Sequence, residues 1–247
     1  MPEMEGRPSP HRWNQIKKLP LHPAIQTLEQ YEEAVLKGTA DALVYLGGID
    51  PLRQTALADI QLVHRLIFKG AHPWAGEFRK PGQLAIVSGF PAADPQRIVR
   101  ELELALYQLR EMMEIPVLSD SHHSMLSALA FFHVRFERVH PFLDGNGRSG
   151  RTILAVQFEK VFGVLPDFTD QSGYREAIRA SAERELKPLV NYLATSVGLP
   201  IIQAPCRPPF RVAPRFLEGL ENSSFSDDLA WSRDIPWLHG GKSFPRN

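Results

Sequence analysis

Apolar side chains repeat with helical spacing on both sides of one polar segment. Before it, they recur at intervals of four and three residues: Met125, Leu129, Phe132, Phe136 and Val139. Such a stripe covers one face of an α-helix. After it, a shorter stripe continues with Leu154, Phe158 and Val161, and Gly163 is a typical helix end. The pattern predicts two helices joined by the segment that begins at His140.

Most of the remaining chain has the same period. Apolar spacing, together with glycine and proline stops, predicts further helices over residues 23–46, 52–68, 102–113, 173–185 and 188–197. The segment over residues 82–91 differs, because Leu-Ala-Ile-Val suits a short strand and Ser88-Gly89 suits a turn. We predict a mainly α-helical bundle with one short β-hairpin, here called the flap (residues 82–91).

The two ends of the chain differ from its centre. Residues 1–22 are rich in proline, arginine and lysine without periodicity, which predicts a flexible N-terminal arm. Residues 23–49 are expected to supply one N-terminal helix. From residue 199 onward, prolines recur too often for a continuous helix, so residues 199–247 are predicted to form a proline-rich tail.

Composition excludes several classes of protein. Lysine and arginine number 28 and aspartate and glutamate number 28, which removes the diffuse positive charge that non-specific nucleic-acid or membrane binding needs. Cys206 is the only cysteine, so neither an intrachain disulfide nor a thiol-rich metal site is expected. The start lacks the apolar run of a secretory signal. We expect a cytoplasmic protein without nucleic-acid or membrane partners.

Chemistry is concentrated in the segment HPFLDGNGRSGR, residues 140–151. Gly145, Asn146 and Gly147 allow the backbone to turn its N–H groups towards a ligand, and the helix that follows presents the positive end of its dipole. Arg148 and Arg151 share a face of that helix, where they can hold phosphate oxygens. The segment therefore predicts a phosphate-binding site.

Two further side chains extend this prediction. Asp144 would repel phosphates unless a cation lay between them, and Mg²⁺ is commonly held by one carboxylate plus phosphate oxygens and water. His140 can accept a proton near neutral pH, as a general base does. Each residue of the segment also has a structural interpretation, as a helix cap, a turn or a solvated surface. Their concentration in one short segment favours the functional interpretation.

The segment resembles the signature of the Fic family, H-x-F-x-(D/E)-G-N-G-R-x-x-R, at every fixed position. Residues 63–79, with Trp74-Ala75-Gly76 and Arg79, are similar to the part that precedes the flap in that family. Residues 173–193 are similar to the helices that close its nucleotide pocket. The likeness covers about residues 50–198 and implies a Fic-type helical bundle that transfers AMP from ATP to a hydroxyl of a target protein.

The resemblance also implies roles for individual residues. His140 would deprotonate the target hydroxyl, and Asp144 would hold Mg²⁺ on the α- and β-phosphates of ATP. Gly145, Asn146 and Gly147 would form the anion cradle. The arginines would divide the phosphates between them, with Arg148 on the inner ones and Arg151 on the γ-phosphate.

Other residues of the likeness would shape the site. Phe142 would pack inward and hold the loop, and Tyr174 would line the adenine pocket. The flap would dock the target protein by adding a strand of its backbone. The residues expected to do so are Leu84, Ala85, Ile86 and Val87.

Several alternatives stay open at this point. Some Fic relatives transfer UMP or phosphocholine, or remove AMP, and Doc-like kinases transfer the γ-phosphate, although Gly145 and Gly147 argue against the Doc branch. A nucleotide-binding partner module without catalysis is disfavoured by the intact His140, and a DNA-binding protein by the neutral charge.

Regulation can also be addressed from the sequence. The family's inhibitory pattern (S/T)-x-x-x-E-(G/N) is absent from the chain. This absence predicts restraint by a separate small inhibitory partner protein, as in a toxin–antitoxin pair, or through the tail, where Glu218 and Glu221 are the candidates.

Overall fold

The computed structural model describes residues 10–87, 90–114, 122–183 and 185–201. Within these residues the fold is mainly helical, as the sequence predicts. The helices are α1 (Pro10–Ile16), α2 (Leu28–Gly47), α3 (Leu57–Phe68), α4 (Ile98–Glu114), α5 (His122–Val139), α6 (Asn146–Phe162), α7 (Gln171–Glu183) and α8 (Lys187–Thr195). Two short strands, β1 (Ile86–Val87) and β2 (Phe90–Pro91), pair antiparallel and form the flap.

The chain divides into two compact units. The first contains the described residues up to Tyr107 together with Arg135–Leu165. The second contains Gln108–Val134 and the described residues from Pro166 onward. The segment His140–Arg151, the flap and the helices α2, α3 and α6 belong to the first unit, together with the last turn of α5.

Helices α2, α3 and α6 pack against one another in the first unit. Thr27 begins α2 with a capping box, in which its side chain accepts from the Gln30 N–H and the Gln30 side chain accepts in return. At the crossing of α2 with α3, Gly38 brings the two backbones close, because a Cβ atom there would lie 2.3 Å from the Leu66 carbonyl oxygen. The close approach fixes α2 directly beside the helix that supports the loop.

Helix α6 is bounded by two glycines in the left-handed conformation. Gly145 has φ +79° and precedes the helix, and Gly163 has φ +71° and ends it. The face of α6 towards the core carries the stripe that the sequence predicts, with Leu154 and Phe158 fully buried. Glycine adopts the left-handed conformation at little cost in free energy, so the sequence indicates both ends of this helix.

In the second unit, α7 packs against α8. Pro188 lies in the first turn of α8, where its missing N–H costs no hydrogen bond. Tyr174 on α7 is buried, its hydroxyl lies 2.6 Å from His133 Nε2, and its ring packs edge-on against Phe168 and Tyr192.

Some predictions need correction. The predicted flexible arm contains α1, whose seven residues are too few to show a helical period in the sequence. Ile16 at the end of this helix is only 5% exposed. Helices α2 and α3 begin five residues later than predicted, at Leu28 and Leu57. The predicted turn at Ser88-Gly89 and the tail residues Glu218 and Glu221 lie outside the described residues. In the described part of the chain, no helix is long and apolar enough to cross a membrane.

The glycine at the crossing of α2 and α3 gives the first testable prediction. Gly38→Ala adds a methyl group where two carbonyl oxygens lie within 2.4 Å. Overpacking of this kind should outweigh the gain of about 1 kcal/mol in helix propensity and lower the free energy of unfolding by about 2 kcal/mol. Urea unfolding followed by circular dichroism measures the change.

Gly47→Ala is the matched control, because a Cβ atom at this position, at the end of α2, would have no neighbour within 4 Å. This variant should be as stable as the wild type or gain up to about 1 kcal/mol. Equal stabilities of the two variants would show that α2 does not pack on α3 as described.

Candidate active site

The loop between α5 and α6 (residues 140–145) runs beside the segment that follows α3. Phe78 and Phe142 form an antiparallel β-bridge, and the Arg79 N–H donates to the Pro141 carbonyl at 2.8 Å. Phe142 is fully buried, as the resemblance implies. The loop is therefore held as a strand-like segment rather than as a free surface turn.

Asn146 braces this loop with its side chain. Its Oδ1 accepts from the Phe142 N–H at 2.8 Å, and its Nδ2 donates to the Phe142 carbonyl at 2.8 Å. The side chain is 1% exposed, so the amide group faces the loop and only the backbone N–H of Asn146 heads the helix. Its contribution to an anion cradle can thus come from the backbone alone.

His64 on α3 packs against the buried side of the loop. Its ring stacks on Phe142 with centroids 3.8 Å apart. The Gly76 N–H donates to Nδ1 at 2.8 Å, so Nε2 carries the proton and donates to the Asp144 carbonyl at 3.0 Å. Burial lowers the pKa of His64 to about 4, against the opposing effect of the Asp144 carbonyl. The imidazole is neutral near pH 7 and makes both bonds.

Gly145 is required by space as well as by conformation. A Cβ atom at this position would lie 2.3 Å from Cε2 of Phe68, and its φ of +79° disfavours other residues. Phe68 therefore lies directly against the backbone where the loop enters α6. The glycine lets an aromatic ring close the apolar side of the loop.

The first turn of α6 offers backbone donors to a ligand. The N–H groups of Asn146, Gly147 and Arg148 have no intrahelical acceptor, and no hydrogen bond among the described residues uses them. The helix dipole adds positive potential at the same place. This arrangement is suited to an anion.

Both arginines of the segment lie near this helix start. A Cβ atom on Gly147 would lie 3.2 Å from Nη1 of Arg151, which places that guanidinium over the first turn. The carboxylate of Glu137 on α5 is buried beside α6, where it would lie 2.6 Å from a Cβ atom on Gly150. Burial raises the pKa of Glu137 to about 7, against the opposing charge of Arg151.

Arg148 is held by aromatic side chains. Its guanidinium carbon lies 4.7 Å from the ring centre of Phe68 and 5.4 Å from that of Tyr31. Nη2 donates to the Tyr31 hydroxyl at 2.9 Å. Because a guanidinium carries five N–H donors, this bond orients Arg148 without exhausting its capacity for phosphate.

Asp144 is half-buried, and its Oδ1 accepts from the Gly145 N–H at 2.7 Å. Among the described residues, no group of three or more histidine, cysteine or acidic side chains is arranged to hold a metal ion. A single carboxylate beside bare helix N–H groups still fits Mg²⁺, since this ion takes its remaining ligands from phosphates and water.

His140 has an unusual backbone and a neutral ring. Its φ of +49° lies in the left-handed region, which is sparsely populated by residues other than glycine. Burial lowers the pKa of His140 to about 4, and the charge of Arg79 acts in the same direction, whereas the Glu137 carbonyl and Asp144 oppose it. The imidazole is therefore neutral near pH 7, and one of its ring nitrogens can accept a proton.

The flap presents apolar side chains to solvent. Leu84 is 87% exposed and Ile86 is 76% exposed, while Ala85 and Val87 are half-buried. Only Ile86 and Val87 of the four have strand conformation. Exposed apolar residues on a hairpin edge are a surface on which another chain can dock.

The structure therefore brings the predicted residues of the segment 140–151 together in the first unit. Tyr174 lies in the second unit, and its place at an adenine ring remains a prediction. Sequence reasoning missed Tyr31, His64 and Phe68, and it gave Arg79 no role. Among these residues, only His64 could have been noticed in the sequence, because a histidine on the apolar face of α3 needs buried hydrogen-bond partners.

Known proteins are similar to this chain in sequence and in fold. Residues 54–158 match the Fic/DOC family. Proteins named protein adenylyltransferase Fic are similar in sequence: the one from Nematostella vectensis is 26% identical over 64% of this chain and 36% of its own length. The one from Drosophila erecta is 25% identical over 57% of this chain and 28% of its own. The matched regions thus span about a third of these relatives.

Solved structures show the same fold. The BepC effector of Bartonella tribocorum, crystallised with AMPPNP, aligns with a TM-score of 0.55 and 19% identity, over 71% of this chain and 90% of that one. A Fic-domain signalling protein of Bacteroides thetaiotaomicron aligns with a TM-score of 0.57 and 18% identity, over 70% and 71% of the two chains. The matched residues contain the whole loop and the first turns of α6, so this part of the chain is similar to the Fic/DOC family.

Proposed function

We propose that this protein is a protein adenylyltransferase, which transfers AMP from ATP to a hydroxyl side chain of a target protein. The observation that carries the proposal is the arrangement around the start of α6. A neutral histidine, a half-buried carboxylate, three backbone N–H donors and two arginines all lie in His140 to Arg151. Such a site combines a proton acceptor with an anion-binding helix start.

The reaction can be written with these residues. The target hydroxyl oxygen attacks the α-phosphorus of ATP, and a new P–O bond forms as the bond from that phosphorus to the bridging oxygen breaks. Pyrophosphate leaves with the bond electrons. The proton of the hydroxyl passes to the His140 imidazole, which is neutral near pH 7 because of its burial. The N–H groups at the start of α6 and Arg148 stabilise the charge on the phosphates.

Asp144 would hold Mg²⁺ against the phosphates. When bound, the ion would supply charge neutralisation at the bridging and leaving oxygens. The Asp144 carboxylate is half-buried next to the helix start. Without a cation between them, its negative charge would repel a triphosphate bound there. The protein's own contribution is to fix this carboxylate through the Gly145 N–H and the His64 bond to the Asp144 backbone.

AMP is the transferred group that we favour over the alternatives. The similar proteins from Nematostella vectensis and Drosophila erecta are named adenylyltransferases, and the BepC structure holds the ATP analogue AMPPNP. Gly145 has no room for a Cβ atom against Phe68, which supports the glycine loop expected for AMP transfer. The exposed Leu84 and Ile86 of the flap support docking of the target protein backbone there.

Labelled nucleotide tests the proposal. The protein is incubated with cell lysate and ATP labelled on either the α- or the γ-phosphate. Compared with lysate to which the protein is not added, label from the α-phosphate in protein should increase, and label from the γ-phosphate should not. His140→Ala should lower the rate by at least about 100-fold, because the base is lost, while the affinity for Mg²⁺ and ATP in calorimetry stays within about threefold.

His22→Ala is the matched control, since His22 is exposed and far along the chain from the loop, and its rate should equal that of the wild type. Transfer of γ-label alone would place this protein with the kinases. Undiminished transfer by His140→Ala would remove that residue from the mechanism.

The pH profile provides an independent check. His140 must be neutral to accept a proton, and its pKa of about 4 lies below the ordinary value of 6.5. Protonation, and with it the loss of kcat/KM, should therefore occur only as the pH falls below about 5, with a flat profile between about 5.5 and 8. Initial rates of α-label transfer measure it, and circular dichroism verifies folding at each pH. An acid limb centred near 6.5 would contradict the assigned burial of the base.

A further inference from the structure

Arg79 makes an unusual set of hydrogen bonds. It lies between α3 and the flap, is 4% exposed, and directs its guanidinium to four backbone carbonyls. These carbonyls are His140 at 2.7 Å, Gln83 at 2.7 Å, Ala93 at 2.7 Å and Val139 at 3.1 Å. Burial lowers the pKa of Arg79, and the charge of Asp94 opposes this effect. A buried cation is thus used to bind neutral backbone groups.

The four carbonyls belong to two places. Gln83 precedes β1 and Ala93 follows β2, so this pair marks the base of the flap. Val139 is the last residue of α5, and His140 is the proposed base. One side chain therefore joins both ends of the flap to the backbone that carries the imidazole. Further backbone bonds lie alongside, from Ala93 N–H to the Arg138 carbonyl at 3.3 Å and from Arg79 N–H to the Pro141 carbonyl at 2.8 Å.

His140 needs such a support. Its φ of +49° is unfavourable for a residue with a Cβ atom and persists only where neighbours hold it. Val139 and His140 also lie at the end of α5, where carbonyls have lost their intrahelical donors. Arg79 donates to both of these carbonyls and so satisfies the helix end in the conformation that turns the chain into the loop.

We propose that Arg79 is a positioning residue for AMP transfer: it holds His140 in its left-handed conformation and fixes it relative to the base of the flap on which the target docks. The inference rests on the proposed function, because it concerns the alignment of base and target hydroxyl. Arg79 touches neither nucleotide nor target in this role, and it acts by positioning His140 relative to the flap.

A lysine cannot replace this arrangement. Arginine presents five N–H donors in a flat fork, whereas lysine has one ammonium group on a flexible stem. Arg79→Lys keeps the positive charge and loses the simultaneous contacts with the flap and His140. A misplacement of about 1 Å can cost about 100-fold in rate, so a defect in alignment should appear in kcat.

The test compares Arg79→Lys with Arg100→Lys, which makes the same chemical change at a half-buried position on α4. Steady-state transfer of α-label should show kcat reduced about 30- to 100-fold in Arg79→Lys, with the Kd for Mg²⁺ and ATP within about threefold of wild type. Arg100→Lys should behave as wild type. Arg79→Gln, a shorter planar group with two donors, serves as the second variant if Arg79→Lys does not fold.

A measurement without turnover separates this inference from the proposed function. The Cε1–Hε1 signal of His140, assigned by its loss in His140→Ala, is recorded by NMR in each folded variant. It should shift or split in Arg79→Lys, while the signals of His22 and His133 stay in place. This shift is expected even if no AMP transfer is found, in which case only the proposed function fails.

Two results would overturn the inference. One is an unchanged His140 signal in a folded Arg79 variant. The other is a loss of affinity for Mg²⁺ and ATP as large as the loss in kcat, which would place Arg79 at the nucleotide site and not behind His140.

Discussion

The site depends on one constraint, which is that a loop crossing the interior must find a partner for its backbone N–H and C=O groups. In residues 140–145 these partners are mostly side chains. Arg79 takes the His140 carbonyl, Asn146 takes both groups of Phe142, and His64 takes the Asp144 carbonyl. Because each partner is itself buried, the loop has one shape, and that shape sets where the imidazole, the carboxylate and the helix start lie.

The same burial supplies the electrostatics of the site. Phe68 and Phe142 exclude water from the inner side of the loop, and burial keeps the His140 ring neutral and able to accept a proton. The N–H groups of the first turn of α6 and the two arginines then form the positive side of the site. Packing and chemistry meet at Gly145, because this glycine lets the Phe68 ring approach the backbone directly before the helix start that can receive an anion.

The spacing of residues in the sequence predicted the features that depend on neighbouring residues. The stripes before and after the loop, the helix stop at Gly163 and the residues of the segment 140–151 could all be read from the sequence, because helical period and turn chemistry act over a few residues. The supports act over longer separations: Arg79 binds His140 across 61 residues, His64 binds Asp144 across 80, and Arg148 binds Tyr31 across 117. Contacts of that kind arise from packing, which no periodicity in one sequence reveals.

Residue-resolved hydrogen exchange tests most directly whether the loop is formed before nucleotide arrives. The amides of His140, Phe142 and Gly145 are hydrogen-bonded in the protein without ligand, so they should exchange slowly in its absence. Addition of Mg²⁺ and ATP should then slow mainly the amides of Asn146, Gly147 and Arg148, whose N–H groups are expected to meet the phosphates. If residues 140–145 exchanged at the rate of an unfolded chain until nucleotide was added, the loop would be ordered by its ligand, and the account of a preformed site would be wrong.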